Sequence, residues 1–293
     1  MSAPEPEGGR KRLLVMLQYC LPQHFLSLVA HELTRSRNRF IRDALIRAFV
    51  DRFDPDMSDA ERTDPLNYDT FNAFFTRALR PNARPIDPDP AVLVSPVDGS
   101  VSQVGRLDGT WLLQAKGRAY TLESLLATNL SWQEHFRGGA FATLYLAPFD
   151  YHRVHMPLRG RLRAAWHVPG QLFSVNAATT ERVPALFARN ERVVCAFGNE
   201  ALTFAVVLVG ALLVGSIGTV WHGEVTPRAA SSGAELPLDD SRTPLELEKG
   251  AELGRFNMGS TVILLLPPGR SEWLGTLAPG SRVRVGQPLG RLR

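Results

Sequence analysis

Cysteine is scarce in this chain of 293 residues, which contains only Cys20 and Cys195. The two lie far apart and show neither the close spacing of a zinc site nor the density of a disulfide-stapled domain. We therefore expect two reduced thiols and no metal site.

The chain also lacks a long apolar run. A membrane-spanning helix needs about 20 mostly apolar residues, and His24, His31 and Glu32 interrupt the best N-terminal candidate. Residues 202–214 are more apolar, but this run is short and rich in valine, which favours a buried strand. We expect no spanning helix.

A strong excess of one charge is missing as well. The net charge is +4 and the pI is near 9.4, which is no nucleic-acid footprint by itself, so we expect no nucleic-acid partner. With 44% hydrophobic and 21% charged residues the composition is globular. Residues 1–10 are expected to form a disordered tail, and residues 229–248 are a second candidate for disorder.

Residues 11–53 are expected to form helices, and eight of the 30 arginines of the chain lie before residue 55. A helical wheel places one apolar set on one side, namely Phe40, Ile41, Ala44, Leu45, Ala48 and Phe49. Arg39, Arg42, Asp43 and Arg47 fall on the other side. Such a helix either lies in a membrane interface or packs on the core through the same stripe, and periodicity alone favours packing.

A further core helix is predicted over residues 68–79. Phe71, Phe74 and Phe75 recur at helical spacing, and Thr70 is placed to cap the helix. Pro81 and Pro85 end helical structure after it.

From residue 92 onward, short apolar runs alternate with Gly, Pro, Asp and Asn, which is typical of antiparallel strands. Predicted strands lie at 92–94, 111–113, 141–146, 204–209, 262–266 and 283–285, with helical interruptions at 122–128 and 183–189. The fold class predicted is α+β, with an N-terminal helical region followed by a mainly antiparallel β domain.

Three short motifs supply residues for nucleophilic chemistry: Asp98 in Pro-Val-Asp-Gly, His152 and His155 in 151–157, and Ser260 after Gly259. An Asp, a His and a Ser are the parts of a charge-relay nucleophile. A glycine before the serine lets its hydroxyl approach the preceding carbonyl, which suits attack on the chain's own peptide bond. We interpret 215–218 as a β turn, because Val214 replaces the first glycine of a nucleophile elbow.

These segments resemble those of the phosphatidylserine decarboxylase proenzymes, in the bacterial membrane-associated branch. The resemblance runs from about residue 13 to 289 and rests on segments 70–75, 113–117, 151–157, 190–193, 214–217 and 249–261. Met258 stands where the family usually has leucine. Because the two side chains have similar volumes, we expect cleavage to survive.

The resemblance implies a residue-by-residue assignment. Asp98, His155 and Ser260 form the self-cleaving relay, which cuts between Gly259 and Ser260 into a large chain (1–259) and a small chain (260–293). Ser260 becomes a covalent pyruvoyl group, the cofactor, whose ketone forms a Schiff base with the substrate amine. His152 is assigned the proton-donor role in decarboxylation.

The resemblance also implies phosphatidylserine as substrate, phosphatidylethanolamine and CO2 as products, and association of the two chains. A homodimer is one assembly that it leaves open. It reverses the preference for simple packing: residues 11–60 become a docking region for an anionic membrane surface, and 61–293 the catalytic domain. We expect a peripheral protein on the cytoplasmic face of the cell membrane.

Two other functions stay open. A zinc hydrolase with Asp98, His152 and His155 as ligands fits the residue types but gives Gly259 and Ser260 no role. A non-catalytic membrane-binding β module predicts a single intact chain.

Overall fold

Helices at the N-terminus precede mostly antiparallel sheets, which confirms the predicted α+β class. The computed structural model describes the main chain of Leu130 and Ser260 and, in full, the remaining residues of 12–13, 15–127, 130–213, 216–226, 233–236, 245–257 and 260–293. The predicted tail 1–10 lies outside these ranges. Cys20 and Cys195 are free thiols, as expected.

The helices are short apart from two near the N-terminus, and residues 12–13 and 15–17 are helical as well. They are α1 (Gln23–Thr34), α2 (Arg39–Phe53), α3 (Phe71–Phe75), α4 (Leu122–Leu126), α5 (Leu130–Phe136), α6 (Ala177–Thr180) and α7 (Leu186–Arg189), with a 3-10 turn at Pro65–Asn67. Among the helices of the described ranges, none is both long enough and apolar enough to cross a bilayer.

The strands fall into four antiparallel sheets within the described residues. They are β1 (Val92–Val94), β2 (Gly99–Arg106), β3 (Trp111–Ala115), β4 (Arg118–Thr121), β5 (Ala140–Leu146), β6 (Arg153–His155), β7 (Gly160–Val168), β8 (Arg192–Gly198), β9 (Thr203–Val209), β10 (Ile217–Thr219), β11 (Gly223–Glu224), β12 (Ala234–Glu235), β13 (Glu246–Leu247), β14 (Glu252–Phe256), β15 (Ser260–Leu266), β16 (Ser271–Trp273), β17 (Arg282–Val283) and β18 (Pro288–Leu292).

Helix α2 buries a different face from the one the helical wheel predicted. Ile46 is fully buried and Phe49 nearly so, whereas Phe40 is 86% exposed and Ile41 is exposed too. The predicted stripe is therefore wrong in part, because the aromatic rings of α3 meet α2 at Ile46 and Phe49. The apolar residues of its first turn are left on the surface.

Helix α3 confirms the predicted cap and is shorter than predicted. The Thr70 hydroxyl accepts a hydrogen bond from the Ala73 N–H at 3.0 Å, and Phe71, Phe74 and Phe75 are buried. The helix ends at Phe75, and Leu79 instead forms an isolated β-bridge with Ala60.

The largest sheet runs in the order β12-β7-β8-β9-β15-β5-β2-β17, with β13 also paired to β7. Alternate residues of β15 enter two different hydrophobic clusters: Val262 and Leu264 join one, and Ile263 and Leu265 the other. Because both faces of this strand are buried, its sequence is a continuous apolar run rather than an alternating one.

A second sheet, in the order β11-β10-β14-β6, carries the residues of two predicted motifs. Strand β6 ends with His155, which lies opposite Glu252 of β14. The turn interpretation of 215–218 is wrong for Ile217 and Gly218, which begin strand β10 and pair with β14. Gly215 lies outside the described residues.

Candidate active site

Ser260 begins strand β15, which lies between β5 and β9 in the large sheet. Its main chain is opposite Leu146 of β5. Met258, Gly259 and the Ser260 side chain lie outside the described residues, so the predicted nucleophile is located by its strand alone. The segment that contains the predicted scissile bond connects the end of β14 to the start of β15.

His155, the predicted base, is held at both ring nitrogens. Its Nδ1 lies 2.7 Å from the Gly250 carbonyl oxygen, and its Nε2 lies 3.0 Å from the Tyr151 hydroxyl. Because a carbonyl oxygen only accepts, Nδ1 carries the proton and Nε2 accepts from Tyr151. His155 is thus fixed as the tautomer whose Nε2 lone pair can act as a base.

Burial lowers the pKa of His155 below its usual value. The Gly250 carbonyl and the carboxylates of Glu252 and Asp98 favour the protonated ring and oppose that shift, while the charge of Arg153 adds to it. The net effect keeps the imidazole neutral near pH 7, the state in which it can take a proton.

A main-chain hydrogen bond brings the segment of Asp98 next to His155, but the Asp98 side chain binds other partners. The His155 N–H donates to the Pro96 carbonyl at 2.8 Å, which brings the two motifs together. The Asp98 carboxylate accepts hydrogen bonds from Arg84 at 2.6–3.1 Å and from the Val285 N–H at 2.8 Å.

No hydrogen bond of the described residues joins the Asp98 and His155 side chains, and the His155 tautomer is fixed by the hydrogen bond that its Nδ1–H donates to the Gly250 carbonyl. The charge of Asp98 still favours the protonated form of His155. The membership of Asp98 in the relay stays a prediction. Sequence reasoning gave Gly250 and Tyr151 no role, although both lie inside the segments that carry the resemblance.

His152, the predicted proton donor, is fully buried and stacks on the Phe75 ring with centroids 4.1 Å apart. Its Nε2 lies 3.1 and 3.3 Å from the carbonyl oxygens of Ala147 and Pro148, so Nε2 carries the proton. Its Nδ1 has no partner among the described residues. Burial first, and then the charge of Arg77, lower the pKa of His152 to about 3.

Arg77 is a buried cation next to this site. The side chain is 3% exposed, and its Nη2 donates to the Phe149 carbonyl at 3.1 Å. Its Nε and Nη1 have no partner in the described part of the chain. Arg77, Asp98 and Tyr151 line a cavity of about 220 Å³, so the motifs of Asp98 and Tyr151 meet at one cavity beside this cation.

A polar network reaches the last described residue before the predicted scissile bond. Asn257 is buried, and its side-chain amide donates to the Ser216 hydroxyl and, at 3.3 Å, to Glu224. Glu224 also accepts from Ser216 at 3.0 Å and pairs with Arg35 and, at 3.1 Å, with His31. Helix α1 and Arg35, the residue after it, are thereby linked to Asn257, which lies between β14 and β15.

Comparison with known proteins identifies the family of the chain. The family model described as Phosphatidylserine decarboxylase matches residues 71–291, which include Asp98, His152, His155 and Ser260. The chain belongs to the phosphatidylserine decarboxylase family. A second model, described as PSD, matches residues 13–54, the region of α1 and α2.

Curated members of the phosphatidylserine decarboxylase family resemble the chain over nearly its whole length. A phosphatidylserine decarboxylase proenzyme of Pseudomonas fluorescens is 50% identical over 96% of this chain and 98% of its own. Those of Methylococcus capsulatus and Azotobacter vinelandii are each 49% identical over 96% of this chain and 97% and 99% of their own. The chain is therefore an enzyme of the decarboxylase class.

The zinc alternative gains nothing from the geometry. Within the described ranges no three His, Cys, Asp or Glu side chains come together as a metal-binding group. Asp98 is bound to Arg84, while His152 and His155 bind carbonyl oxygens through one nitrogen each. The three predicted zinc ligands are therefore bound to separate partners within the described part of the chain.

Proposed function

We propose that this chain decarboxylates phosphatidylserine to phosphatidylethanolamine, using a pyruvoyl group that it makes by cutting its own Gly259–Ser260 bond. The observation that carries the proposal is the state of His155. This ring is neutral, fixed with a basic Nε2, and lies on the sheet whose strand β14 leads into that bond. The curated relatives are named proenzymes, which supports a processing step.

The cleavage needs only groups of this chain and water. His155 takes the Ser260 hydroxyl proton, the serine oxygen bonds to the Gly259 carbonyl carbon, and the carbon–nitrogen bond breaks as nitrogen receives that proton. The resulting ester loses the Gly259 carboxylate and the Cα proton of residue 260, which leaves dehydroalanine. Water then replaces its nitrogen, which departs as ammonia, and a pyruvoyl group remains.

The charge of Asp98 suits this step even without a bond to the imidazole. When His155 takes the serine proton it becomes an imidazolium in a buried site, which is costly unless negative charge lies close by. Asp98 and Glu252 supply that charge. We therefore assign Asp98 the stabilisation of the charged His155, and Gly250 the orientation of its ring.

A pyruvoyl group at position 260 would supply a carbonyl that draws electrons from a substrate amine while CO2 leaves. Position 260 lies opposite Leu146, and His152 binds the carbonyl oxygen of the next residue, Ala147. His152 is a buried ring with an unpartnered Nδ1 among the described residues. Because Nε2–H binds two carbonyl oxygens, Nδ1 is the nitrogen that can accept a proton and pass it on. Because its pKa is lowered to about 3, the ring is neutral near pH 7, so we assign His152 the transient uptake of a proton at Nδ1 and its delivery to the substrate carbon that loses CO2.

We further propose that α1 and α2 dock the enzyme on the cytoplasmic face of the cell membrane as a peripheral protein. In support, Phe25, Leu28 and Leu33 of α1 and Phe40 of α2 are large apolar side chains exposed on one stretch of chain. Arg39, beside them, has an 83% exposed side chain and suits an anionic surface. Docking there would bring the site to the headgroup of its substrate.

The cleavage proposal is tested by intact-protein mass spectrometry of the purified full-length chain. We expect two species, residues 1–259 and a 260–293 chain with a blocked N-terminus. With phosphatidylserine present, cyanoborohydride should reduce the Schiff base between that N-terminal ketone and the lipid amine, and so attach the lipid to the 260–293 chain. Ser260→Ala and His155→Ala should each stay as one chain. A wild-type protein of one intact 32.3 kDa chain would refute self-cleavage.

The matched control is His152→Ala, a histidine three residues from His155 in the same motif. We expect this variant to cleave normally and to lose CO2 release from phosphatidylserine, because its ring serves only the second reaction. Wild-type turnover in this variant would remove His152 from decarboxylation and leave the cleavage proposal intact.

A further inference from the structure

Tyr151 is the first residue of the segment 151–157, and none of the roles above involves it. The side chain is only 5% exposed, and its hydroxyl lies 3.0 Å from Nε2 of His155. The two rings are also in contact, with centroids 5.6 Å apart and planes inclined by 31°. A buried phenol therefore points at the one ring nitrogen that is left to act as a base.

The direction of this hydrogen bond follows from the other side of the ring. The Gly250 carbonyl fixes the proton on Nδ1, so the neutral ring has only a lone pair at Nε2 and Tyr151 must donate. Burial raises the pKa of Tyr151, so the phenol keeps its proton. Gly250 and Tyr151 thus hold the imidazole by opposite edges.

We propose that Tyr151 is a positioning residue for self-cleavage, which holds the Nε2 edge of His155 and keeps that nitrogen unprotonated in the precursor until the Ser260 hydroxyl replaces the phenol at its lone pair. The proposal rests on the assignment of His155 as the cleavage base. It adds a residue that acts through His155 and not on the scissile bond.

The donor role of Tyr151 predicts the direction in which the pKa of His155 changes when the phenol is removed. A hydrogen bond donated to the lone pair of Nε2 stabilises neutral His155 only, so it lowers the pKa of this group. The other influences on the pKa of His155 are burial, the hydrogen bond to the Gly250 carbonyl, the carboxylates of Glu252 and Asp98, and the guanidinium of Arg153. None of them changes when the phenol oxygen is removed, so Tyr151→Phe should raise the pKa of His155.

The test is a pulse-chase of the full-length chain, synthesised in a cell-free system and chased at a series of pH values. The rate of appearance of the 260–293 chain should rise with pH as His155 loses its proton. In Tyr151→Phe we expect the midpoint of this rise to move up by about 0.5–1 pH unit, the value of one ordinary hydrogen bond. A midpoint that stays in place or moves down would overturn the proposal, even if cleavage is slower.

Tyr68→Phe is the matched control. Tyr68 is also buried, and its hydroxyl donates to the Arg62 carbonyl at 2.9 Å, so this variant loses one buried phenol hydrogen bond away from His155. We expect its midpoint to equal that of the wild-type chain. An equal upward shift in both variants would mean that the shift reports general destabilisation, and the proposal would fall.

A second variant keeps the phenol hydroxyl and covers the case in which Tyr151→Phe folds poorly. 3-Fluorotyrosine at position 151 is a stronger donor than tyrosine, so the midpoint should move down, opposite to Tyr151→Phe. Shifts of one sign in both variants would contradict the donor role. The assignment of His155 is tested separately, because cleavage by His155→Ala would defeat that assignment whatever Tyr151 does.

Discussion

At the scale of single residues, Gly250 carries the orientation of His155, and only glycine suits its place. Its φ is +81°, and a Cβ there would lie 2.6 Å from Cγ1 of Ile86. Gly250→Ala combines a positive-φ penalty of about 1–2 kcal/mol with this clash. We expect the displaced carbonyl to release Nδ1 of His155 and to slow cleavage at least about tenfold, measured by pulse-chase at pH 7.5.

Two further substitutions separate the clash from the backbone strain. Ile86→Ala removes the atoms that a Cβ would meet, so it should restore part of the cleavage rate in the Gly250→Ala background. Gly269→Ala is the control, because its φ is +70° and a Cβ there meets nothing within 4 Å. Cleavage at the wild-type rate in Gly250→Ala would contradict the orienting role of this carbonyl.

The Gly250–His155 bond also marks the limit of what sequence reasoning reached at the residue scale. Asp98, His152 and His155 are detectable because their motifs are short and contain the residue types that the chemistry needs. The partner that fixes the tautomer is a main-chain carbonyl 95 positions away from His155. A carbonyl has no residue type, so only the folded chain reveals which one is used.

At the scale of elements, local signals were predictable and the choice of face was not. The Thr70 cap and the buried rings of α3 depend on residues within one turn, and both are confirmed. In α2, Ile46 lies outside the predicted apolar set and is nevertheless fully buried. Periodicity gives the spacing of a stripe, but the side that is buried depends on where α3 lies.

The attachment of α1 gives a prediction at this scale. Glu224 joins His31 and Arg35 to Ser216 and Asn257. In Glu224→Gln we expect the amides of Gln23–Thr34 to exchange about fivefold faster in hydrogen–deuterium exchange, because the charged contacts to the helix are lost. The measurement is exchange mass spectrometry at pH 7.

The pH dependence of this attachment has a defined sign. Burial would raise the pKa of Glu224, but the hydrogen bond from His31 and the charge of Arg35 outweigh it, so the pKa falls below 4.5. Because the pKa of Glu224 is lower in the folded state, its ionisation stabilises that state at pH values above the pKa of an unfolded glutamate. This stabilisation is lost as the pH falls through the pKa of Glu224 in the folded state.

The control for the exchange experiment is Glu246→Gln, which breaks an exposed ion pair with Arg159. Equal protection of α1 in the wild-type chain and in both variants would refute the link between Glu224 and α1.

At the scale of the whole molecule, the predicted small chain is not a detachable tail. Residues 260–293 supply β15, β16, β17 and β18, and β15 lies between strands of the predicted large chain. Separating the chains would expose the buried residues of β15 and leave β5 and β9 without their shared partner. The proposed cleavage after residue 259 would therefore change the chemistry of one end of β15 without requiring the sheet to come apart.

The last prediction concerns the surface that the whole molecule presents to a membrane. Phe25 and Leu28 are 63% and 47% exposed. Burying two such side chains in a bilayer contributes roughly 3 kcal/mol, so Phe25→Glu with Leu28→Glu should lower partitioning into anionic vesicles about 100-fold. Co-sedimentation at low and high salt measures it, since the arginine contribution is screened by salt and the apolar one is not.

The control for this surface is Leu113→Glu with Leu274→Glu, two apolar residues of similar exposure, 45% and 41%, outside the N-terminal helices. Both double variants add two negative charges to exposed positions, so the net charge is matched between them. Loss of binding in the helix variant alone would locate docking on α1. Equal loss in both variants would show that charge, and not insertion of α1, governs binding, and would refute the docking proposal.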